Sequence, residues 1–126
     1  MRFLLDTNAL IWLVAGSRNL GPRARQTISG AGSLFVSEVS LLEISVKVSI
    51  GKLPSIGSFA ATMGQLGIHR THIDDRYLAR LETLPLHHRD PFDRMLVAQA
   101  LSDDLTVLTA DPVFAEYGVR VADARE

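Results

Sequence analysis

The sequence contains no cysteine, which excludes a disulfide framework, a cysteine-based zinc site and a thiol nucleophile. It has no surplus of either charge: 13 Lys+Arg stand against 14 Asp+Glu, a formal net charge of −1. That balance argues against a protein that wraps nucleic acid by bulk positive charge and leaves room only for a local basic groove. No apolar run nears the ~18 residues of a membrane-spanning helix. The apolar opening Phe3-Leu4-Leu5 is cut by Asp6, which argues against a secretory signal. What is present, 126 residues at 47% hydrophobic and 21% charged, is an ordinary globular composition. We expect residues 1–126 to form one soluble cytoplasmic domain with no membrane contact.

Apolar periodicity and turn signals order the chain. Arg2-Phe3-Leu4-Leu5 is too short for a helix and reads as a strand over 2–5, followed by a helix over about 8–15 that Gly16-Ser17 stops. Pro22 opens a helix over about 22–29, ended by Gly30 and Gly32. Leu34-Phe35-Val36 is a second strand, with Ser37 as N-cap of a helix over 38–50 whose apolar face is Val39, Leu42, Val46 and Ile50. Within that stretch Ile44 to Ile50 also alternates like a strand; the cap and the length favour a helix, with Gly51 beyond its end. A helix over 56–65 places Phe59, Met63 and Leu66 on one face, Ile68 to Ile73 is a third strand, and Asp74 caps a helix over 75–83. After a loop at 84–89, Asp90-Pro91-Phe92-Asp93 is a strong helix start, leading to about Ser102. Strands at 106–108 and 119–121 flank a short helix opened by Asp111-Pro112. Strands alternating with helices predict an α/β three-layer α/β/α sandwich around a central parallel sheet of four to five strands.

In an open parallel sheet, ligands bind beyond the carboxyl ends of the strands. Asp6 follows the first strand, Glu43 lies in the helix after the second, and Asp111 follows the fourth. Asp93 shares a helix face with Leu96, Val97 and Ala100, so it sits on an inward stripe. Each acid has an ordinary structural reading: Asp6, Asp90 and Asp111 as N-caps, Asp93 in a capping box, Glu43 paired with Lys47 four residues on. Together they are harder to explain that way. Two like charges ~4 Å apart repel by about 4 kcal/mol at an effective dielectric of 20. A cluster of carboxylates therefore takes up protons or holds a cation, and all-oxygen donors favour Mg²⁺ or Mn²⁺ over Zn²⁺. The pattern points to a metal-dependent phosphodiester or phosphomonoester hydrolase.

The motifs Asp6-Thr7-Asn8, Ser37 through Glu43-Ile44, His88-Arg89-Asp90-Pro91-Phe92-Asp93-Arg94 and Thr109-Ala110-Asp111 occur in this order over nearly the whole chain. In this the sequence resembles PIN-domain proteins, and more specifically the VapC-type toxin ribonucleases of toxin–antitoxin pairs. The resemblance implies a PIN-like fold and a Mg²⁺- or Mn²⁺-dependent endoribonuclease with Asp6, Glu43, Asp93 and Asp111 as its acids. Asp6 and Asp93 would hold the cation, with Glu43 and Asp111 completing the cluster directly or through water. Thr7, Asn8, Asp90 and Thr109 match positions that line such a site and orient ligands or substrate. The resemblance also implies a homodimer and a small DNA-binding, VapB-like antitoxin.

Substrate grip must come from local basic residues, and Lys47, Arg89 and Arg94 are the nearest to the acids; Arg18, Arg23, Arg25 and Lys52 lie further off. His87 and His88 could contact RNA or metal, though paired loop histidines are more often just exposed, and Trp12 reads as a core or dimer contact ahead of base stacking. Two other readings stand beside the nuclease. A phosphatase or phosphotransferase with a nucleophilic aspartate after the first strand would want a second Asp where Asn8 stands, and a receiver-like domain finds only a loose match in Ile73-Asp74-Asp75. A PIN-like module kept for binding alone would be marked by loss of an acid, and all four are present.

Overall fold

The computed structural model describes residues 1–55 and 57–126. In chain order the elements are β1 Arg2–Leu5, α1 Thr7–Ala15, α2 Pro22–Gly30, β2 Ser33–Ser37, α3 Glu38–Ser49, α4 Gly57–Leu66, β3 His69–Thr71, α5 Asp75–Thr83, α6 Pro91–Asp103, β4 Thr106–Thr109, a 3-10 helix Pro112–Tyr117 and β5 Val121–Asp123. The start of the fourth expected helix, at residue 56, lies outside the described residues. All strand pairs are parallel, and the sheet order is β3-β2-β1-β4-β5.

The two-residue period of the strands sorts the core into two layers. Phe3 and Leu5 of β1 stand in register with Leu34 and Val36 of β2, and Leu5 with Leu108 of β4. These side chains pack under α1, α2, α3 and α4 with Leu10, Ile28, Ile44 and Phe59. Leu4, between them, turns to the other face with its neighbour Val107 and packs against Leu96, Val97 and Phe114. Helices cover both faces because β1, β2 and β4 are apolar on both, the pattern of a parallel sheet.

Local signals set the helix ends. Asp6 caps α1 by accepting the Ala9 N–H, and Gly16 closes that helix at φ 63°, a left-handed conformation that glycine adopts without steric cost. Asp90 accepts the N–H groups of Phe92 and Asp93 with Pro91 at the first helical position, so α6 starts where the sequence placed it. Gly21 is required by space rather than by φ: a Cβ there would lie 2.3 Å from the Arg125 carbonyl oxygen. Gly21→Ala is expected to cost about 1–3 kcal/mol by overpacking, read as a lower urea midpoint at unchanged slope.

Several expected elements shift. The fifth strand is Val121–Asp123, not 119–121, because Gly118 turns at φ 79° and Val119 packs down into the layer under α6 before pairing begins. The third strand is only His69–Thr71; the Ile73 N–H is taken by the Glu38 carboxylate and leaves the ladder. On α4, Phe59 and Met63 are buried, but Leu66 is exposed. The largest difference is in α3, where Val39, Leu41 and Ile44 face inward while Leu42, Val46 and Ile50 form an exposed apolar row.

Candidate active site

Strands β1 and β4 are adjacent, yet the chain leaves β1 toward β2 and returns to β4 on its other side. This is the topological switch point of the sheet, where departing loops diverge and leave a crevice at the carboxyl edge. Asp6 leaves β1 there and Asp111 leaves β4. Asp6 is buried, with Oδ1 accepting the Ala9 N–H at 2.8 Å and Oδ2 accepting the Thr109 hydroxyl at 2.6 Å. The same Thr109 hydroxyl oxygen accepts the Asp111 N–H at 3.0 Å, so one residue orients two of the acids. Asp111 Oδ1 in turn caps the 3-10 helix through the Val113 N–H.

Glu43 reaches the crevice by a different route from the one the sequence suggested. It does not lie on an apolar face with Leu42 and Val46; it follows the buried Val39 and Ser40 up the helix. Ser40 accepts a hydrogen bond from the Thr7 hydroxyl at 3.0 Å, both residues being buried, so α3 is tied to the residue next to Asp6. Thr7 is thus a tie between α1 and α3 rather than a group facing substrate, and Asn8 beside it is exposed at the mouth. Lys47 lies 3.6 Å from Glu43.

Asp93 stands in the first turn of α6, and Leu96, Val97 and Ala100 on its face are buried as the periodicity predicts. His88, for which the sequence favours exposure in the loop over contact with RNA or metal, is half-buried beside it: Nε2 lies 2.9 Å from Asp93 Oδ2 and 3.8 Å from Asp111 Oδ2. Its Nδ1 accepts the Asp90 N–H at 3.3 Å, so the ring proton is on Nε2 and a donor points at the two acids. The available sequence signal was its place just before the Asp90-Pro91 cap, where the chain turns back over the first turn of α6. One ligand-type atom from each of His88, Asp93 and Asp111 lies within 4.8 Å of the others.

The loop carrying His88 is held from two sides. The Tyr117 hydroxyl accepts the His88 N–H at 2.8 Å, and Arg94 donates to the carbonyls of Pro85 and Leu84 and to the Tyr117 hydroxyl. Arg94 is therefore engaged in clamping this loop, while Arg89 is exposed. Tyr117→Phe is expected to cost about 1–2 kcal/mol and to speed amide exchange at His88, because its N–H loses its acceptor.

The acids feel one another. Burial raises the pKa of Asp6 most; the charges of Asp111 and Glu43 push the same way, against the hydrogen bonds from Thr109 and Ala9. Asp93 is pushed up to about 6, first by burial and then by the charge of Asp90, with Asp6 adding to it and His88 opposing. Two carboxylates that resist ionising, with two more acids and the His88 imidazole at hand and no cysteine, form a mainly oxygen donor set that suits a divalent cation.

The PIN-domain sequence model matches residues 3–120 of the chain. The chain belongs to the PIN-domain family. No curated protein sequence matches it. Solved structures with the same fold include VapBC2 from Rickettsia felis bound to a DNA fragment from their promoter, at TM-score 0.77 and 12% identity, covering 97% of this chain and 98% of that one. DNA-bound VapBC from Salmonella typhimurium is similar at TM-score 0.72 and 20% identity, with 98% of each chain covered. A toxin–antitoxin complex from Klebsiella pneumoniae matches at TM-score 0.69 and 23% identity, again with 98% of each chain covered. These likenesses confirm the five-stranded, three-layer architecture. Among the described residues of this PIN domain, no helix is long and apolar enough to cross a membrane.

Proposed function

We propose that this PIN domain is a Mg²⁺- or Mn²⁺-dependent endoribonuclease and the toxin of a VapBC-type pair. The observation that carries the reading is the convergence of Asp6, Glu43, Asp93 and Asp111 from four different elements on the switch point of the sheet, with the pKa values of Asp6 and Asp93 both raised.

Asp6 and Asp93 would hold the cation, with Glu43 and Asp111 completing the cluster directly or through water. When bound, the cation lowers the pKa of a water and offsets the charge that builds on the phosphate in the transition state. The protein's own groups set up that chemistry. The Ala9 N–H and Thr109 hydroxyl fix both oxygens of Asp6, so its lone pairs have little freedom left. Thr109 fixes the backbone of Asp111 by the same hydroxyl, Lys47 offsets the charge of Glu43, and the Nε2–H of His88 offsets that of Asp93. Substrate phosphates would be met by Lys47 and Arg89.

The structurally similar VapBC complexes support an antitoxin partner, whose action would be to occupy the acidic crevice. The exposed row Leu42, Val46 and Ile50 gives the chain apolar surface for association, either with that partner or in a homodimer. The setting would be the cytoplasm.

The direct test is incubation of the purified chain, freed of any partner, with total cellular RNA in Mg²⁺, Mn²⁺ or EDTA. The expected result is discrete fragments that require a metal. Attack by water leaves a 5′-phosphate and a 3′-hydroxyl, whereas attack by the neighbouring 2′-hydroxyl leaves a cyclic phosphate, so the ends identify the nucleophile. Intact RNA with both metals, from a folded protein, would overturn the nuclease reading.

A further inference from the structure

The two histidines ahead of α6 turn to different partners. The His87 ring stands edge-on to the Tyr117 ring, with the centroids 4.9 Å apart, whereas the His88 ring turns to the acids. No acid is needed to put it there. The Tyr117 hydroxyl holds the His88 N–H, and the His88 carbonyl lies 3.5 Å from the Arg94 guanidinium. The imidazole is thus presented by a clamp built from α6 and the 3-10 helix.

The distances say what it is presented for. As a hydrogen-bond donor, Nε2 serves Asp93 at 2.9 Å, but at 3.8 Å from Asp111 it is out of range. One proton therefore answers one acid. A divalent ion would answer both and the imidazole as well, since ligand atoms of His88, Asp93 and Asp111 lie within 4.8 Å of one another. On an octahedral ion with bonds of ~2.1 Å, neighbouring ligand atoms stand about 3 Å apart and opposite ones about 4 Å. The separations of 2.9 and 3.8 Å fall in that range. Coordination through Nε2 moves the ring proton to Nδ1 and gives up only the long, 3.3 Å contact with the Asp90 N–H.

We propose that His88 is a nitrogen ligand of the cation at this centre and makes the chain take Mn²⁺ in preference to Mg²⁺. Mg²⁺ keeps its waters and its oxygen donors, whereas a neutral imidazole suits transition ions, for which affinity rises from Mn²⁺ to Co²⁺. This rests on the reading of the crevice as a metal-dependent centre. It adds a ligand that the four acids do not supply, and the selectivity which that ligand confers.

The ligand is read directly in the purified chain, stripped of metal and loaded with Mn²⁺, by electron spin-echo envelope modulation, which detects nitrogen bonded to the ion. The expected result is a nitrogen modulation in wild type and in His87→Gln that is lost in His88→Gln. Glutamine keeps an N–H donor for Asp93 but brings no imidazole nitrogen, so the comparison separates ligation from hydrogen bonding. Calorimetric titration of wild type should show Mn²⁺ bound roughly tenfold or more tightly than Mg²⁺, and Co²⁺ more tightly still. In His88→Gln, Mn²⁺ binding should weaken about tenfold to a hundredfold, with Mg²⁺ binding changed by less than about threefold.

Bound Mn²⁺ without nitrogen modulation in wild type would overturn the proposal and leave His88 a hydrogen-bond donor. That spectrum decides the point where His88→Gln folds poorly. A modulation that survives in His88→Gln would also overturn it, as would equal losses of Mn²⁺ and Mg²⁺ affinity in that variant, the mark of a disturbed loop. Metal-dependent cleavage of RNA alongside any of these results would leave the nuclease standing. Nitrogen-ligated Mn²⁺ in a chain that cuts no RNA would do the reverse.

Discussion

Asp93→Asn is expected to lower RNA cleavage by roughly 10³-fold or more while making the metal-free protein more stable at neutral pH. The loss follows from removing one of the two acids assigned to the cation, at several kcal/mol of transition-state stabilisation. The gain follows from the raised pKa. In the folded chain burial, and after it the charge of Asp90, pushes the Asp93 carboxyl up to about 6 from its ordinary 3.8, so the fold binds the proton more tightly than the unfolded chain does. The stability contributed by that proton is complete below pH of about 4 and lost as pH rises through about 6. Asparagine keeps the shape, still accepts from the Nε2–H of His88, and has no charge to desolvate. The difference between variant and wild type should therefore grow between pH 4 and 6 and level off above. Its size should be on the order of 1–2 kcal/mol, discounted for the solvent that reaches this carboxylate. Thermal unfolding in EDTA at pH 4.5 and 7.5 checks it. Added Mg²⁺ or Mn²⁺ should raise the wild-type Tm at pH 7.5 and leave the variant little changed. A variant less stable than wild type at pH 7.5 would mean that Asp93 is held by partners, not strained by neighbours.

Phe114→Ala should be the most destabilising single change at the site's edge, at about 3–5 kcal/mol. Phe114 is fully buried against α6 and anchors the 3-10 helix that begins just after Asp111. Truncation leaves a void under that helix and frees the segment holding Asp111 and Tyr117. Against a typical total stability of 5–15 kcal/mol, the variant should unfold at much lower urea. Metal affinity should fall with it if Asp111 is part of the cation site, whereas a stability loss with unchanged metal affinity would leave Asp111 outside it.

The parts of the fold legible in the sequence were those written in local chemistry. Asp90-Pro91 and Ser37 marked their helix starts within a residue, because a cap acts on the N–H groups two or three residues on. The double-faced burial of β1, β2 and β4 showed as unbroken apolar runs. Which face a helix turns inward is decided elsewhere in the chain. On α3, Leu42, Val46 and Ile50 repeat as regularly as a core face, yet the sheet lies on the side of Leu41 and Ile44. The acids were legible as a group for the same reason that the fold class was: parallel strands deliver their following residues to one edge. His88 was not, since its role depends on Tyr117 and Arg94 folding the loop back, a contact between segments 29 residues apart. Arg94, for its part, has a task that its sequence neighbours do not reveal.

The hydrogen bond between Thr109 and Asp6 joins residues 103 apart. Since Thr109 is translated 103 residues after Asp6, the crevice cannot close until β4 has been made and has docked beside β1. At ~5–20 residues per second, the nascent polypeptide spends seconds on the ribosome with its acids still apart. For a chain read as cutting RNA, that delay is a safeguard built into topology: growing beside messenger, transfer and ribosomal RNA, it stays inert until β4 has been made, and fragments that end before β4 carry no blade.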